Sequence, residues 1–388
     1  MIRVAWPAFT ETNWTGGLNY FLNLARALQS VSSPRVNIVL LGNETRPVPP
    51  LDNYPSISLP CLNKYGFYRF LDKVLRRATE GGGLLAASLA EKNINLLSHG
   101  RPLGEKSPVP ALCWIPDFQE LYLPEFFTKR ELRSRRGSHA RTAAQAQGVV
   151  LSSRDAWKKF CGLFPEAAGK AYILNFVAYV PPEESLPPAT EVMRIYGIGE
   201  PYFHVPNQLW AHKNHRRILE ALCVLQERGK CPLVISTGQT RDYRALEFFN
   251  GLQKAVTSKG LAERFRFLGL VPFSHVAVLM RNSVALVNPS LFEGWSTTVE
   301  EAKSLGKKIL LSDLAVHREQ APARAEYFAP DDASTLALLM QKTIEEFDPV
   351  VERTCMEEAT RSLPQRMAAY GRAYEDIVID VLARLPRG

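Results

Sequence analysis

Apolar runs of four to six residues alternate with longer stretches whose apolar positions recur every three or four residues. In the first half, Ile2–Trp6, Val36–Leu41, Ile94–Leu97, Pro110–Ile115, Gly148–Leu151 and Ala171–Leu174 read as buried strands. Leu18–Gln29 reads as an amphipathic helix opened by Gly16-Gly17, after a loop from Pro7 to Thr15. In the second half, the strands are Tyr202–Val205, Leu233–Thr237, Arg264–Leu268, Val284–Val287 and Lys308–Leu311. The helical stretches there are the one entered after Pro206, then Arg241–Ser258 and His275–Met280, and Leu314–Gln320 and Asp331–Glu346 finish the domain. Such alternation predicts an α/β protein with mostly parallel sheets covered by helices on both faces. Val180–Pro188 has four prolines in nine residues, which suits a linker and excludes a helix or central strand. Gln365–Leu385 closes the chain as another amphipathic helix.

At 388 residues the chain is too long for one ordinary core, so two domains are expected, 1–180 and 181–364. The six cysteines form no C-x-x-C pair, which argues for free thiols in a reducing compartment. The first residues, MIRVAWPAF, lack the pattern of a signal peptide, and no apolar run approaches the roughly 18 residues of a spanning helix. A cytoplasmic protein is therefore expected. The net charge of +8 fits an anionic nucleotide or an anionic membrane surface. No nucleic-acid module accompanies it, so nucleic acid is not expected as a partner. Two basic segments, Tyr65–Arg77 and Lys129–Arg141, are candidates for contact with the inner face of a membrane; ordinary solvated helices are the competing account.

The densest chemistry lies in Asn288–Gln320, NPSLFEGWSTTVEEAKSLGKKILLSDLAVHREQ. A strand ends at Asn288-Pro289, a loop carries Glu293 and Gly294, and Ser296, Thr297 and Thr298 are N-cap candidates for a helix ending at Gly306. The free N–H groups and positive end of such a helix favour a phosphate. Glu293 and Glu301 stand eight residues apart, one in the loop and one in the helix, and carboxylates accept well from vicinal sugar hydroxyls. The plainer account gives Glu300 and Glu301 to the helix dipole and leaves Glu293 in solvent. Lys213 precedes a second helix at a strand end, a good place for a diphosphate. Gly238 ends its strand where a ligand needs close backbone approach.

The string PSLFEGWSTTVEEAKSLG resembles the E-x7-E segment of the family 4 glycosyltransferases, retaining enzymes of the GT-B fold, through Pro289, Ser290, Glu293, Gly294, Glu301, Ala302 and Gly306. Trp295, Ser296–Thr298 and Lys308 depart from the usual pattern. The resemblance implies two Rossmann-like domains facing across a cleft, with the helix over 365–388 packing back on the first. It implies that Glu293 holds sugar hydroxyls and Glu301 the ribose. Lys213 and the N–H groups at Ser296–Thr298 would hold the diphosphate, and Gly16 and Gly17 would let it approach. Asn207 stands where the family carries a cation, with Gln208 beside it. Asp117 matches the Asp of a His-Asp pair, while Pro116 takes the His position and Glu120 stands where related D-F-Q-H sequences have His. Phe267–Val271 resembles the segment that receives the base by backbone contacts. Implied function is transfer of a sugar, mannose favoured, from a nucleotide-sugar to a glycan or lipid-linked hydroxyl in polysaccharide or lipopolysaccharide biosynthesis. GDP-mannose is favoured over UDP-sugars as donor, and no D-x-D motif is present, as in metal-independent members. A sugar-nucleotide epimerase and a non-catalytic nucleotide-sugar binding subunit are the alternatives.

Overall fold

A computed structural model of the chain describes residues 1–7, 15–42, 49–62 and 83–385, with positions 68, 71, 72 and 75. The Cα trace divides into two compact units. The first comprises Met1–Leu121, Phe127–Val177 and Gln365–Gly388; the second comprises Tyr122–Phe126 and Ala178–Pro364. Most of the segment Tyr65–Arg77 lies outside the described residues.

The first unit holds strands β1 (Ile2–Pro7), β2 (Val36–Leu41), β3 (Ser56–Ile57), β4 (Leu96–Ser98), β5 (Ala111–Ile115), β6 (Gly148–Leu151) and β7 (Ala171–Ile173). They lie in the order β3-β2-β1-β4-β5-β6-β7, and every pairing is parallel. The second holds β8 (Tyr202–Val205), β9 (Leu233–Thr237), β10 (Phe265–Gly269), β11 (Ala285–Asn288), β12 (Ile309–Ser312) and β13 (Ala325–Phe328), in the order β10-β9-β8-β11-β12-β13, again all parallel. Helices cover both faces, so strand residues such as Val4, Leu112, Phe203 and Leu286 are fully buried; this is why the strands read as continuous apolar runs. In each sheet the winding direction reverses once, between β1 and β4 and between β8 and β11. Ligands of open parallel sheets bind outside the strand C-termini at such reversals.

Several expected boundaries move. Gly16 and Gly17 lie inside the first turn of the helix Thr15–Gln29 instead of preceding it. The stretch expected as one helix over Arg241–Ser258 becomes helical only at Phe248, because Asp242 caps a turn through the N–H of Arg244 at 3.0 Å. The last helix is longer than expected, Pro349–Ala383, and carries Pro364 within it. On its C-terminal part, Tyr374 accepts a hydrogen bond from Trp6 Nε1 at 2.8 Å, and Glu375 accepts the Arg35 backbone N–H at 2.7 Å. Among the described residues no helix is long and apolar enough to cross a membrane.

Candidate functional site

The second unit gathers its candidates at the reversal between β8 and β11. After β8 the chain turns through Asn207 and Gln208 into a single 3-10 turn, Ala211–Lys213, and then the helix His215–Glu227. Asn214 makes this turn possible: it adopts φ +55°, and its amide donates to the carbonyls of Pro289 and Pro330 at 3.1 and 3.0 Å. Its side chain is therefore occupied, and only its neighbour Lys213 points a charge at the loop after β11. Lys213 Nζ lies 2.7 and 2.8 Å from the two carboxylate oxygens of Glu293. This ion pair is well shielded, with side-chain exposures of 16% and 8%. Burial alone would raise the Glu293 carboxyl, but the Lys213 charge and the hydrogen bonds from Lys213 and Ser290 hold it below the usual range.

Beneath the pair runs a buried polar network. Ser290 Oγ stands 2.7 Å from Glu293 Oε1 and 2.6 Å from Asn288 Oδ1, and donates to one of them at a time. Asn207 Nδ2 donates to Asn288 Oδ1 at 3.1 Å, and Thr298 Oγ1 donates to Asn207 Oδ1 at 2.7 Å. Asn288 Nδ2 donates to Ser296 Oγ at 2.9 Å. Two expectations change here. Asn207, expected among the diphosphate contacts, is 5% exposed and spends its amide binding the β8 loop to β11 and to the next helix. Ser296 holds the N-cap position of the helix Thr297–Leu305 but makes no side-chain cap bond. Gln320 caps instead: its Oε1 accepts the Ser296 N–H at 3.1 Å, and its Nε2 donates to the Ser296 carbonyl at 3.0 Å. No local pattern announces a cap that arrives from 24 residues away.

The first intrahelical bond runs from the Glu300 N–H to the Ser296 carbonyl at 3.2 Å, so the N–H groups of Thr297, Thr298 and Val299 are the free ones of this helix start. Glu300 is fully buried, bonded to Lys303 and Gln320 at 3.0 and 3.1 Å, and does more than face a dipole. Glu301 is 7% exposed, and burial pushes its carboxyl up to about 8. Gly238, at the end of β9, has φ +142°, and a Cβ there would lie 2.5 Å from the Asn207 carbonyl oxygen and 2.8 Å from Gln208 Cα. Only glycine lets the β8 and β9 loops approach this closely.

Three candidates belong to the first unit. Gly16 is exposed and Gly17 buried, at the helix start after β1. Asp117, after β5, accepts the Gln119 N–H at 3.0 Å and pairs with Arg135 at 2.8 Å. Arg135 also holds Glu120 at 2.7 Å, and His139 Nδ1 is 3.3 Å from the same carboxylate. Burial opposes ionisation of Glu120, yet His139 and Arg135 bring its carboxyl down to about 2. Arg135 and His139 come from the helix Lys129–Gln145, whose exposed positions between 129 and 141 are basic or small. A residue singled out only by the structure is His99, half-buried just after β4 with φ +60° and held by Tyr20 Oη at 2.8 Å and Ser98 Oγ at 2.7 Å.

Residues 191–361 match the family model described as glycosyl transferases group 1. The match falls within the second unit. The chain is 28% identical over 154 residues to the O-antigen chain mannosyltransferase RfbU of Salmonella typhimurium, a match covering 40% of this chain and 41% of that protein. Among solved structures, it is similar to Anabaena Alr3699/HepE in complex with UDP and glucose, with a TM-score of 0.69 at 15% identity over 98% of this chain and 100% of the other. It is also similar to a glycosyltransferase from Rickettsia africae, with a TM-score of 0.68 at 15% identity over 99% of both chains. WaaG, a glycosyltransferase involved in lipopolysaccharide biosynthesis, gives 0.60 at 14% over 98% of this chain and 99% of its own. These likenesses establish the GT-B fold.

Proposed function

We propose that the protein transfers a sugar from a nucleoside-diphosphate sugar to a hydroxyl of a glycan or lipid-linked acceptor, in the assembly of a surface polysaccharide or lipopolysaccharide. The observation that carries this reading is the shielded Lys213–Glu293 pair beside the free N–H groups at the start of the helix Thr297–Leu305. As the glycosidic bond breaks, negative charge grows on the departing diphosphate, and a cation with aligned N–H dipoles stabilises that charge. Glu293 accepts from sugar hydroxyls, and Glu301 accepts from the ribose. Retention of configuration and a mannosyl donor, GDP-mannose over UDP-sugars, complete the reading, with the match of residues 191–361 to the group 1 glycosyl transferases and the RfbU likeness in support. Neither step calls for a metal. The basic exposed face of Lys129–Gln145 is proposed to sit against anionic lipid by charge alone, since it presents no apolar stripe.

A thermal-shift screen of GDP, UDP, GDP-mannose and UDP-sugars tests the site. A ligand at 100 times its Kd stabilises by about 2.7 kcal/mol. Release of nucleoside diphosphate only when an acceptor is supplied then tests transfer. No shift with any nucleotide refutes the site; turnover of the donor without acceptor replaces transfer by epimerisation. The pairing of Asp117 with Arg135 favours one second reading, a subunit that binds nucleotide-sugar without transferring it. It predicts shifts with nucleotide and no release with any acceptor.

A further inference from the structure

His317 is fully buried on the short helix Ala315–Gln320, and none of the proposed chemistry uses it. Its Nδ1 stands 2.7 Å from the Ser312 carbonyl oxygen. A carbonyl only accepts, so Nδ1 carries the ring proton and Nε2 is a bare lone pair. Among the described residues that lone pair has no hydrogen-bond partner. The ring is tied to the site through a chain of contacts. Ser312 Oγ donates to the Ser290 carbonyl at 2.6 Å, and the Ser290 hydroxyl lies 2.7 Å from Glu293 Oε1.

Burial and three charges act on this imidazole. Burial disfavours a charged ring; Glu293 favours it, Lys213 opposes it, and Asp313 favours it. Arg318, on the same helix, is engaged by Asp313 at 2.7 and 2.8 Å. Tyr327 reaches only the His317 backbone carbonyl, at 3.3 Å. In this arrangement Lys213 neutralises Glu293, and burial keeps His317 uncharged. A diphosphate competes for the same ammonium, because two of its three N–H donors are aimed at Glu293. Turning them away leaves a shielded carboxylate without a cation, an arrangement proteins avoid.

We propose that His317 is a positioning residue, which becomes the counter-cation of Glu293 when a bound diphosphate draws Lys213 away. This rests on the reading that the site takes a nucleoside diphosphate. The proton comes from the solvent and adds to Nε2; Nδ1 keeps its own, and no other bond changes. The imidazolium keeps Glu293 ionised and in place for sugar hydroxyls while Lys213 serves the phosphate.

The test is calorimetric titration of GDP and of UDP into the full chain, in two buffers of different ionisation enthalpy. It is run at about pH 7.5, above the second ionisation of a phosphate near 6. Binding should take up about half a proton, since a histidine beside a carboxylate titrates in this range. Affinity should accordingly fall about threefold per pH unit as pH rises. In His317→Gln, which keeps a donor for the Ser312 carbonyl but cannot titrate, the uptake and the pH slope should vanish. Failure of both nucleotides to bind overturns the site reading and this inference with it. Binding without proton uptake by the wild-type chain overturns the inference alone, and needs no variant that folds. Uptake that persists in His317→Gln assigns the proton to His212 or His215, which flank Lys213, and equally overturns it.

Discussion

Replacing Lys213 by Met separates what the Lys213–Glu293 pair does for stability from what it does for transfer. Removing one partner of a buried ion pair typically costs about 3–5 kcal/mol, because the remaining charge is stranded. Here the lysine side chain keeps 16% exposure and Glu293 keeps its contact with Ser290. We therefore expect Lys213→Met to cost about 2–3 kcal/mol in urea unfolding near neutral pH. The pH dependence has a definite sign. In the wild type the Glu293 carboxyl is held below its ordinary value, so its contribution is present above the unfolded value and lost as pH falls through the folded one. In the variant the Lys213 charge is gone and burial is opposed only by Ser290 and His317, so the carboxyl rises and stability is lost as pH increases. The two curves should thus converge on acidification. The double variant Lys213→Met/Glu293→Gln buries no charge and should regain most of the stability while staying at least about tenfold down in transfer, or 1.4 kcal/mol of transition-state stabilisation. A double variant no more stable than the single one would refute the argument from a stranded carboxylate. Wild-type transfer in Lys213→Met would remove the lysine from the mechanism.

Three further outcomes follow from the geometry. Gly238→Ala forces a methyl to within 2.5 Å of the Asn207 carbonyl at φ +142°, so it should destabilise by about 1–3 kcal/mol in urea and weaken nucleotide binding by parting the β8 and β9 loops. Glu301→Gln should be more stable than wild type at pH 8 by about 1–3 kcal/mol, because a carboxyl raised to about 8 loses its contribution as pH rises through that value. The difference should disappear near pH 5, and equal unfolding midpoints at both pH values would count against a buried neutral Glu301. Arg135→Met should cost about 2 kcal/mol, less than a fully buried pair because the guanidinium is 33% exposed. That cost should fade only as pH falls towards about 2, where Glu120 takes up its proton in the wild type.

Local chemistry made part of this legible in the sequence. Strands buried on both faces announce themselves as apolar runs, so β8, β9, β11 and β12 appeared within a residue or two of their observed limits. Gly306 was readable as a helix stop and indeed adopts φ +68°. The proximity of Lys213 to Glu293 was only implied by resemblance, since 80 residues separate them and nothing in either segment specifies the 2.7 Å contact. Gln320 as the cap of Ser296, and Asn207 as the link between β8, β11 and Thr298, were illegible for the same reason. A side chain's partners are decided by which strands become neighbours, and here the order β9-β8-β11-β12 brings four distant loops together. The helix over 241–258 failed differently: its first residues look helical, but Asp242 has a local turn to make and a distant N–H, that of Ala211 at 3.1 Å, to satisfy.

Glu293 and Glu301 are the same residue type, one shielded and one buried, and the structure drives them to opposite ionisation states. Glu293 has Lys213 within 2.7 Å and is held ionised. Among the described residues no cation pairs with Glu301, and burial raises its carboxyl to about 8, so near neutrality it is largely protonated. A protonated carboxyl both donates and accepts, whereas an ionised one only accepts. Two vicinal hydroxyls offer both donors and acceptors, so a neutral Glu301 can complete a reciprocal pair with them at no cost of burying a charge. Glu293, by contrast, needs its charge to remain compensated at all times, which ties its position to whichever cation stands beside it. Spacing in the sequence makes these two glutamates look equivalent; their surroundings fit one for neutral hydrogen bonding and the other for work beside a moving cation.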